Sequence, residues 1–346
     1  MTRASRTLMS TTAMAALAAS TLAASTLGAC SPTTPTYRGE PVSVVDMHLH
    51  TGTWDDIPPP MQAFLAERFP FPVNLAPEGV VNDVLSAQGI IDQLDDAGIE
   101  KGILFAVYAP QTVGLTTNEF VAARVDEGGG RLLGFGSLPL EGLATSQHLR
   151  IDELRAAIES YDLRGIKLAH PHAQAALDEP AQDAIYALAG EKGVPVYLHT
   201  GNTPAVGARI EETSTNPRFL QRVIEQFPET TFILGHVGYD FIDHDVGDLD
   251  VALDLAATHD NVFLEASALG SAGSDPEGTN YGQILSAIRE RGLASRLVYG
   301  SDGPQRPGFV KDYLQRTLAA LDAADYELDE VRGVMKENLA GITSLD

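Results

Sequence analysis

Cysteine is almost missing from this chain, with Cys30 the only one among 346 residues. A disulfide framework is therefore excluded, and so is a cysteine nucleophile within the body of the protein. Basic residues are also scarce: 23 Lys and Arg stand against 47 Asp and Glu, a net charge of −24. Charge of that sign repels a phosphate backbone and argues against nucleic acid as a partner. The acids are spread along the chain without a run, so they point to no particular substrate.

A convincing membrane-spanning helix is missing at the amino terminus as well. Arg3 and Arg6 precede an uncharged stretch, Leu8 to Ala24, that is too short and alanine-rich for a permanent span but suits an export signal. Leu27-Gly28-Ala29-Cys30 follows and resembles the lipobox of bacterial lipoproteins, in which the signal is cut before a cysteine that receives the lipid. The competing reading is an ordinary secretory signal with an incidental cysteine. Both readings take the protein out of the cytoplasm, and the first makes Cys30 a lipid anchor in the cell membrane.

The expected organisation is a signal over 1–30, a flexible Pro- and Thr-containing tether over 31–42, and one folded domain over 43–346. Within that domain eight apolar or β-branched runs read as strands: Val42–His50, Lys101–Tyr108, Arg131–Leu138, Leu163–Ala169, Val194–His199, Thr230–His236, Val262–Ser267 and Leu297–Ser301. From the second onward they start 30–36 residues apart. Helical patterns fill the gaps, at Asn82–Ala97, Asn118–Glu127, Ser146–Tyr161, Gln182–Lys192, Pro217–Phe227, Val246–Ala257, Tyr281–Arg291 and Val310–Ala323, and a last helix is expected at Leu328–Ala340. Gly98, Gly193 and Gly292 stand where helices should stop. This is the rhythm of an α/β chain folded as a single (β/α)8 TIM-type barrel.

One interval is long. From Gly52 to Gly79 it holds Trp54, Pro58-Pro59-Pro60, Phe64, Phe69 and Phe71, which reads as a lid over the barrel mouth, because loops after strands line the functional face. The alternative is an excursion packed on the bottom of the barrel.

The chemistry-bearing residues recur at strand ends. Val44-Val45-Asp46-Met47-His48-Leu49-His50 places two imidazoles two residues apart, so both point to one side of a strand. His199 ends the fifth strand, His236 the sixth, and Asp302 follows the eighth. In an open sheet these ends would be spread too far for one ion, whereas a closed barrel makes the first and eighth strands neighbours. The donor pattern and the barrel thus support each other.

Asp46-Met47-His48-Leu49-His50, Gly165-Ile166-Lys167-Leu168, His199, Gly235-His236 and Gly300-Ser301-Asp302 resemble, in order and over about 43–346, the motifs of the amidohydrolase superfamily. The chain is most similar to the amidohydrolase-related branch, which holds both hydrolases and decarboxylases such as aminocarboxymuconate-semialdehyde decarboxylase. The resemblance implies one divalent ion on His48, His50, His199 and Asp302, zinc by default with manganese as the alternative. His236 and Asp302 would then be catalytic, the first orienting or deprotonating water and the second shuttling its proton. Lys167 is expected to bind a substrate carboxylate; if carboxylated, it would instead bridge a second metal.

His172, from His170-Pro171-His172, is a further candidate for substrate contact, and so is Trp54; Tyr239 is open between pocket wall and packing. Glu265 is either a partner behind a histidine or a buried structural acid, because periodicity does not set its register. His148, His244 and His259 are left out of the site. The function implied is an exported hydrolase using a metal-bound hydroxide on an amide, lactone or ester of a small molecule. Decarboxylation of an aromatic or unsaturated acid is the runner-up, and a surface lipoprotein that binds without turnover is the reading from outside enzymology. Nothing in the sequence decides for or against a homo-oligomer.

Overall fold

The computed structural model describes residues 34–346 apart from Gly270 and Ala272, so the signal, Cys30 and the start of the tether lie outside the described residues. Eight parallel strands form the centre: β1 (Val45–His50), β2 (Lys101–Phe105), β3 (Leu132–Phe135), β4 (Ile166–Leu168), β5 (Val196–His199), β6 (Phe232–Gly235), β7 (Val262–Glu265) and β8 (Leu297–Val298). β1 to β3 pair in sequence order, as do β4 to β8. Two seams close the ring. Between β3 and β4, Gly136 N donates to Gly165 O (2.9 Å) and Lys167 N to Gly136 O (2.7 Å). Between β1 and the segment after β8, His50 N donates to Gly303 O (2.6 Å) and Asp302 N to His48 O (3.0 Å). The chain is a (β/α)8 barrel, as its rhythm implied.

Strand alternation separates two cores. Val45, Met47, Ile103, Phe105, Leu133, Phe135, Tyr197, Ile233, Phe263 and Val298 fill the barrel interior. Leu104, Leu132, Ile166, Val196, Leu198, Phe232, Leu234, Val262 and Leu264 face the helices. β1 departs from strict alternation, because its pairing with β2 shifts register between Asp46 and Leu49. Val45 and Met47 face inward while Leu49 faces the helices, so this bulge changes the phase of the strand. His48 then also points inward, against Phe105 and Tyr197.

The surrounding helices are α1 (Ala87–Ala97), α2 (Asn118–Glu127), α3 (Leu143–Tyr161), α4 (Asp183–Lys192), α5 (Gln221–Gln226), α6 (Leu249–Thr258), α7 (Thr279–Glu290) and α8 (Phe309–Ala323). The single helix expected over Asn82–Ala97 is two, Glu78–Val84 and α1, because the Ser86 hydroxyl accepts from Gly89 N (3.0 Å) and starts a new helix there. Gly98 and Gly193 adopt the left-handed conformation at the ends of α1 and α4. Leu328–Ala340 is helical throughout but passes through a π turn at Gly333–Glu337. Among the described residues no helix is long and apolar enough to cross a membrane.

The folded body begins before residue 43. Thr36–Tyr37 pairs antiparallel with Glu40–Pro41, and Tyr37 is buried with its hydroxyl donating to Tyr326 O (2.5 Å). This corrects the extent of the tether expected over 31–42, since an aromatic at Tyr37 gains more from burial than a free linker would allow.

The long excursion after β1 is a lid. It contains a short turn at Trp54–Asp56 and helices Pro59–Ala66 and Glu78–Val84, held by its own apolar cluster of Phe69, Val81, Val84 and Leu85. Ile57, Met61, Phe64 and Leu65 look down on the open barrel end, whose cavity of about 470 Å³ reaches His48, His50 and Asp302.

Candidate metal centre and active site

Three of the four expected ligands converge. His48 Nε2 lies 3.0 Å from Asp302 Oδ1, His50 Nε2 lies 2.9 Å from the same oxygen, and the two Nε2 atoms are 3.3 Å apart. Two ligands bonded at about 2.1 Å to one ion are separated by about 3.0–3.4 Å for octahedral to tetrahedral angles, so these separations are those of donors on a single cation. The donors of His48, His50 and Asp302 form the one His/Cys/Asp/Glu group of this kind among the described residues. His199 lies outside that group. Its Nε2 is nevertheless buried without a partner, and its ring sits 4.5 Å from that of His236 at the same floor. A buried imidazole nitrogen left unpaired is costly, and a metal ion would satisfy it.

The electrostatics agree. Burial and Lys167 push His48 down, yet Asp302 and Glu265 outweigh them and hold the imidazole above its ordinary pKa. Burial pushes Asp302 up, but the two histidines take its carboxyl well below the usual range. The centre therefore favours positive charge beside the carboxylate, and the residues present fit a divalent ion.

Behind His48, Nδ1 meets Ser267 Oγ (2.9 Å), Tyr197 Oη (3.0 Å) and Glu265 Oε1 (3.3 Å). Ser267 Oγ and Tyr197 Oη each donate to Glu265 Oε2 at 2.9 Å. Burial raises the Glu265 carboxyl, but the His48 and His236 contacts prevail and bring it down to about 2. Glu265 is thus an anion that accepts a hydrogen bond from Nδ1–H of His48, which turns Nε2 toward Asp302. The register that periodicity left open is inward. On the other flank His236 Nδ1 donates to Ser267 O (3.2 Å), turning its Nε2 toward the cavity, and burial lowers the ring to about 4, so it is neutral.

Close backbone approach explains the glycines of two motifs. A Cβ on Gly300 would overlap Glu265 Oε1 and the Cβ of His48, and one on Gly235 would overlap the Tyr197 hydroxyl. Asp46, one strand face away, accepts from His48 N (3.1 Å) and Ser301 N (2.9 Å) and ties β1 to the end of β8. His236, Val237, Ala268 and Asp302 all have positive φ (62°, 47°, 61° and 65°), so strained backbone rings the centre.

The substrate candidates divide. Lys167 is 2% exposed, with its Nζ over the rings of Tyr197 (3.9 Å) and Phe105 (4.8 Å) and facing the cavity. Burial lowers it to about 7 against the pull of Asp302 and Glu265. His172 also lines the cavity, its Nδ1 unpartnered and its ring lowered to about 3 by burial. Trp54 does not line it. Its ring packs against the lid's own apolar cluster instead. Tyr239 is fully buried and donates to Ser274 O (3.2 Å), which settles it as packing. His170 is buried against Gln182 Oε1 (2.8 Å) away from the cavity, whereas His244, left out above, lines it.

Tyr197 and Ser267 were missed by the sequence reading. Each lies two residues from a singled-out position, Tyr197 before His199 and Ser267 after Glu265, so a strand period of two could have found them.

A buried donor set at the carboxyl end of a (β/α)8 barrel defines a metal-dependent enzyme. The amidohydrolase family profile matches residues 45–338, and the chain belongs to that family, whose members are metal-dependent hydrolases or decarboxylases. Family membership sets aside the reading as a protein that binds without turnover. No functionally curated protein matches the sequence closely enough to count as a relative. Solved structures with the same fold include an uncharacterised TIM-barrel protein from Bordetella bronchiseptica (18% identity, TM-score 0.63, 87% of this chain and 98% of that one). Another is a 5-carboxyvanillate decarboxylase from Novosphingobium aromaticivorans complexed with manganese and 4-hydroxy-3-methoxy-5-nitrobenzoic acid (16%, TM-score 0.61, 90% and 98%). A third is a probable 2-pyrone-4,6-dicarboxylic acid hydrolase from Acinetobacter baumannii with citric acid bound (17%, TM-score 0.58, 87% and 99%).

Proposed function

We propose that this protein hydrolyses an ester, lactone or amide bond in a small molecule that carries a carboxylate, with one divalent ion, zinc or manganese, held by His48, His50, His199 and Asp302. The observation that carries the reading is the convergence of His48, His50 and Asp302 within 3.3 Å of one another, under a cavity that also receives the ammonium of Lys167. When bound, the ion supplies Lewis acidity that polarises a carbonyl and makes water more acidic.

The chain's own groups do the rest. Lys167 binds the substrate carboxylate, because among the described residues its Nζ meets only aromatic faces. His236, neutral and fixed through Nδ1, accepts a hydrogen bond at Nε2 from the attacking water and orients it. Asp302 takes the water proton on its carboxylate and returns it to the leaving group. The lid excludes bulk water through Met61, Phe64 and Leu65.

Decarboxylation of an aromatic acid is the second reading, favoured by the apolar walls of the cavity at Phe64, Val107, Phe241 and Phe309 above the same lysine. Protein loaded with zinc or manganese is to be assayed on carboxylated lactones, esters and amides and, separately, for carbon dioxide release from hydroxybenzoates. Turnover on the first panel supports hydrolysis. Carbon dioxide release alone replaces it with the second reading.

We further propose export and anchoring through lipid on Cys30, supported by Arg3, Arg6, the uncharged Leu8–Ala24 and the Leu27-Gly28-Ala29-Cys30 motif.

A further inference from the structure

Histidines on the cavity wall differ in which nitrogen is committed elsewhere. Nδ1 of His48 is enclosed by Ser267, Tyr197 and Glu265, Nδ1 of His236 donates to Ser267 O (3.2 Å), and Nδ1 of His244 donates to Ser274 O (2.9 Å). A neutral imidazole carries one N–H, so each of these rings is left with a bare Nε2. Such a nitrogen accepts a proton or a metal, but it does not steady negative charge on a substrate oxygen.

His172 is wired the other way. It is buried and lines the cavity, and its Nδ1 is sealed without a partner among the described residues. Only Nε2 is left to meet the cavity. An N–H sealed away from every acceptor is the rarer and costlier orphan, whereas a bare lone pair in the same place gives up less. The proton therefore resides on Nε2, and the ring offers the cavity a donor.

That donor is held from two sides of the barrel mouth. The His172 carbonyl accepts from Thr112 Oγ1 (3.0 Å), in the turn between Val107–Ala109 and Gly114–Thr116 after β2. Arg209 N, in the segment after β5, donates to Pro171 O (2.8 Å), and Gln174 Nε2 meets Gly207 O there too. The imidazole stands edge-on to His199, ring centres 5.0 Å apart, and His199 lies 4.5 Å from His236. A fixed donor thus sits beside the fourth proposed ligand and two rings from the water-orienting histidine.

We propose that His172 is a catalytic residue of this site, the donor whose Nε2–H steadies the oxyanion that forms on the substrate carbonyl as water adds. The inference rests on the hydrolysis reading and adds the protein donor which that reading lacks, since His236 acts as an acceptor and Lys167 is taken by the substrate carboxylate. The proton stays on His172 throughout. Negative charge gathers on the oxygen as the carbonyl π bond opens and leaves it when that bond re-forms and the leaving group departs.

Zinc-loaded full chain, isotopically labelled in its histidine nitrogens, is to be studied by NMR with H172F as the assignment control. Nε2 of His172 is expected in the protonated range and Nδ1 in the bare range; the opposite tautomer overturns the proposal. Calorimetry then compares a tetrahedral anion, the monomethyl ester of benzylphosphonate, with planar benzoate. H172F weakens the phosphonate by about tenfold or more and benzoate far less, while H172Q, whose amide N–H replaces the donor, keeps part of the difference. Equal phosphonate binding by H172F and wild type overturns the proposal. If both probes weaken alike in H172F, H172Q decides: recovery of the phosphonate supports the donor, and no recovery overturns it. On any lactone, ester or amide that the wild type turns over, kcat of H172F falls by about 10²–10³-fold with KM little changed, and a loss confined to KM overturns the proposal. Absence of such a substrate counts against the hydrolysis reading alone, because tautomer and phosphonate binding are read without turnover.

Discussion

At the scale of single residues, the metal centre depends on what stands behind His48. Glu265, Ser267 and Tyr197 surround its Nδ1 at 2.9–3.3 Å and set which nitrogen carries the proton. Replacing Glu265 with Gln or Ser267 with Ala should reduce metal affinity by about 10- to 100-fold while the protein stays folded. Competition with a chelator reads this directly, and E265Q holding metal as the wild type does would refute the orienting role. Lys167 gives a pH signature. Burial lowers it to about 7 in the folded protein, against 10.5 as the ordinary lysine value. Between those limits the unfolded chain binds the extra proton, so stability conferred at this position rises with pH from about 7 toward 10.5, by on the order of 1.4 kcal/mol per unit. Denaturation of wild type and K167M across that range should diverge in the wild type's favour, and parallel curves would exclude a depressed lysine. In the same direction, KM for an anionic substrate should climb as pH passes 7.

At the scale of elements, strand order and register decide where side chains point. The bulge in β1 brings His48 inward beside Met47, and two glycines let neighbouring strands approach closely enough for the Glu265 network to form. Gly300→Ala and Gly235→Ala should each destabilise the protein by about 1–3 kcal/mol through overpacking and should also lower bound metal. Thermal unfolding with elemental analysis checks both, and an alanine variant with full metal content and unchanged melting would mean the strands yield more easily than the packing implies. Most elements were legible in the chain: periodicity and glycine stops mark all eight strands and most helices. The break at Ser86 was not, since an apolar pattern runs through it and only the local hydroxyl cap divides it. β8 is also shorter than its apolar run, because Asp302 turns into the left-handed region two residues after Gly300.

At the scale of the molecule, charge and compartment come together. The body carries strong net negative charge, so an anionic substrate approaches against a repelling surface and depends on Lys167 at the cavity floor for its attraction. Replacing Cys30 with Ala should move the protein from the membrane to the soluble fraction of the exporting cell and abolish labelling by a fatty-acid analogue. Retention of the label by the variant would remove the anchor from the account.

By itself the sequence determined the barrel and the family, because strand periodicity, βα spacing and motif order are local or one-dimensional properties. Only the tertiary structure decided that Glu265 faces inward, that Trp54 packs on the lid's own core, that His199 stands apart from the tight group of His48, His50 and Asp302, and that His244 lines the cavity. Those outcomes depend on a bulge, on glycine-permitted approach and on the path of a long lid. Each is set by packing between segments far apart in the chain, which no local pattern encodes.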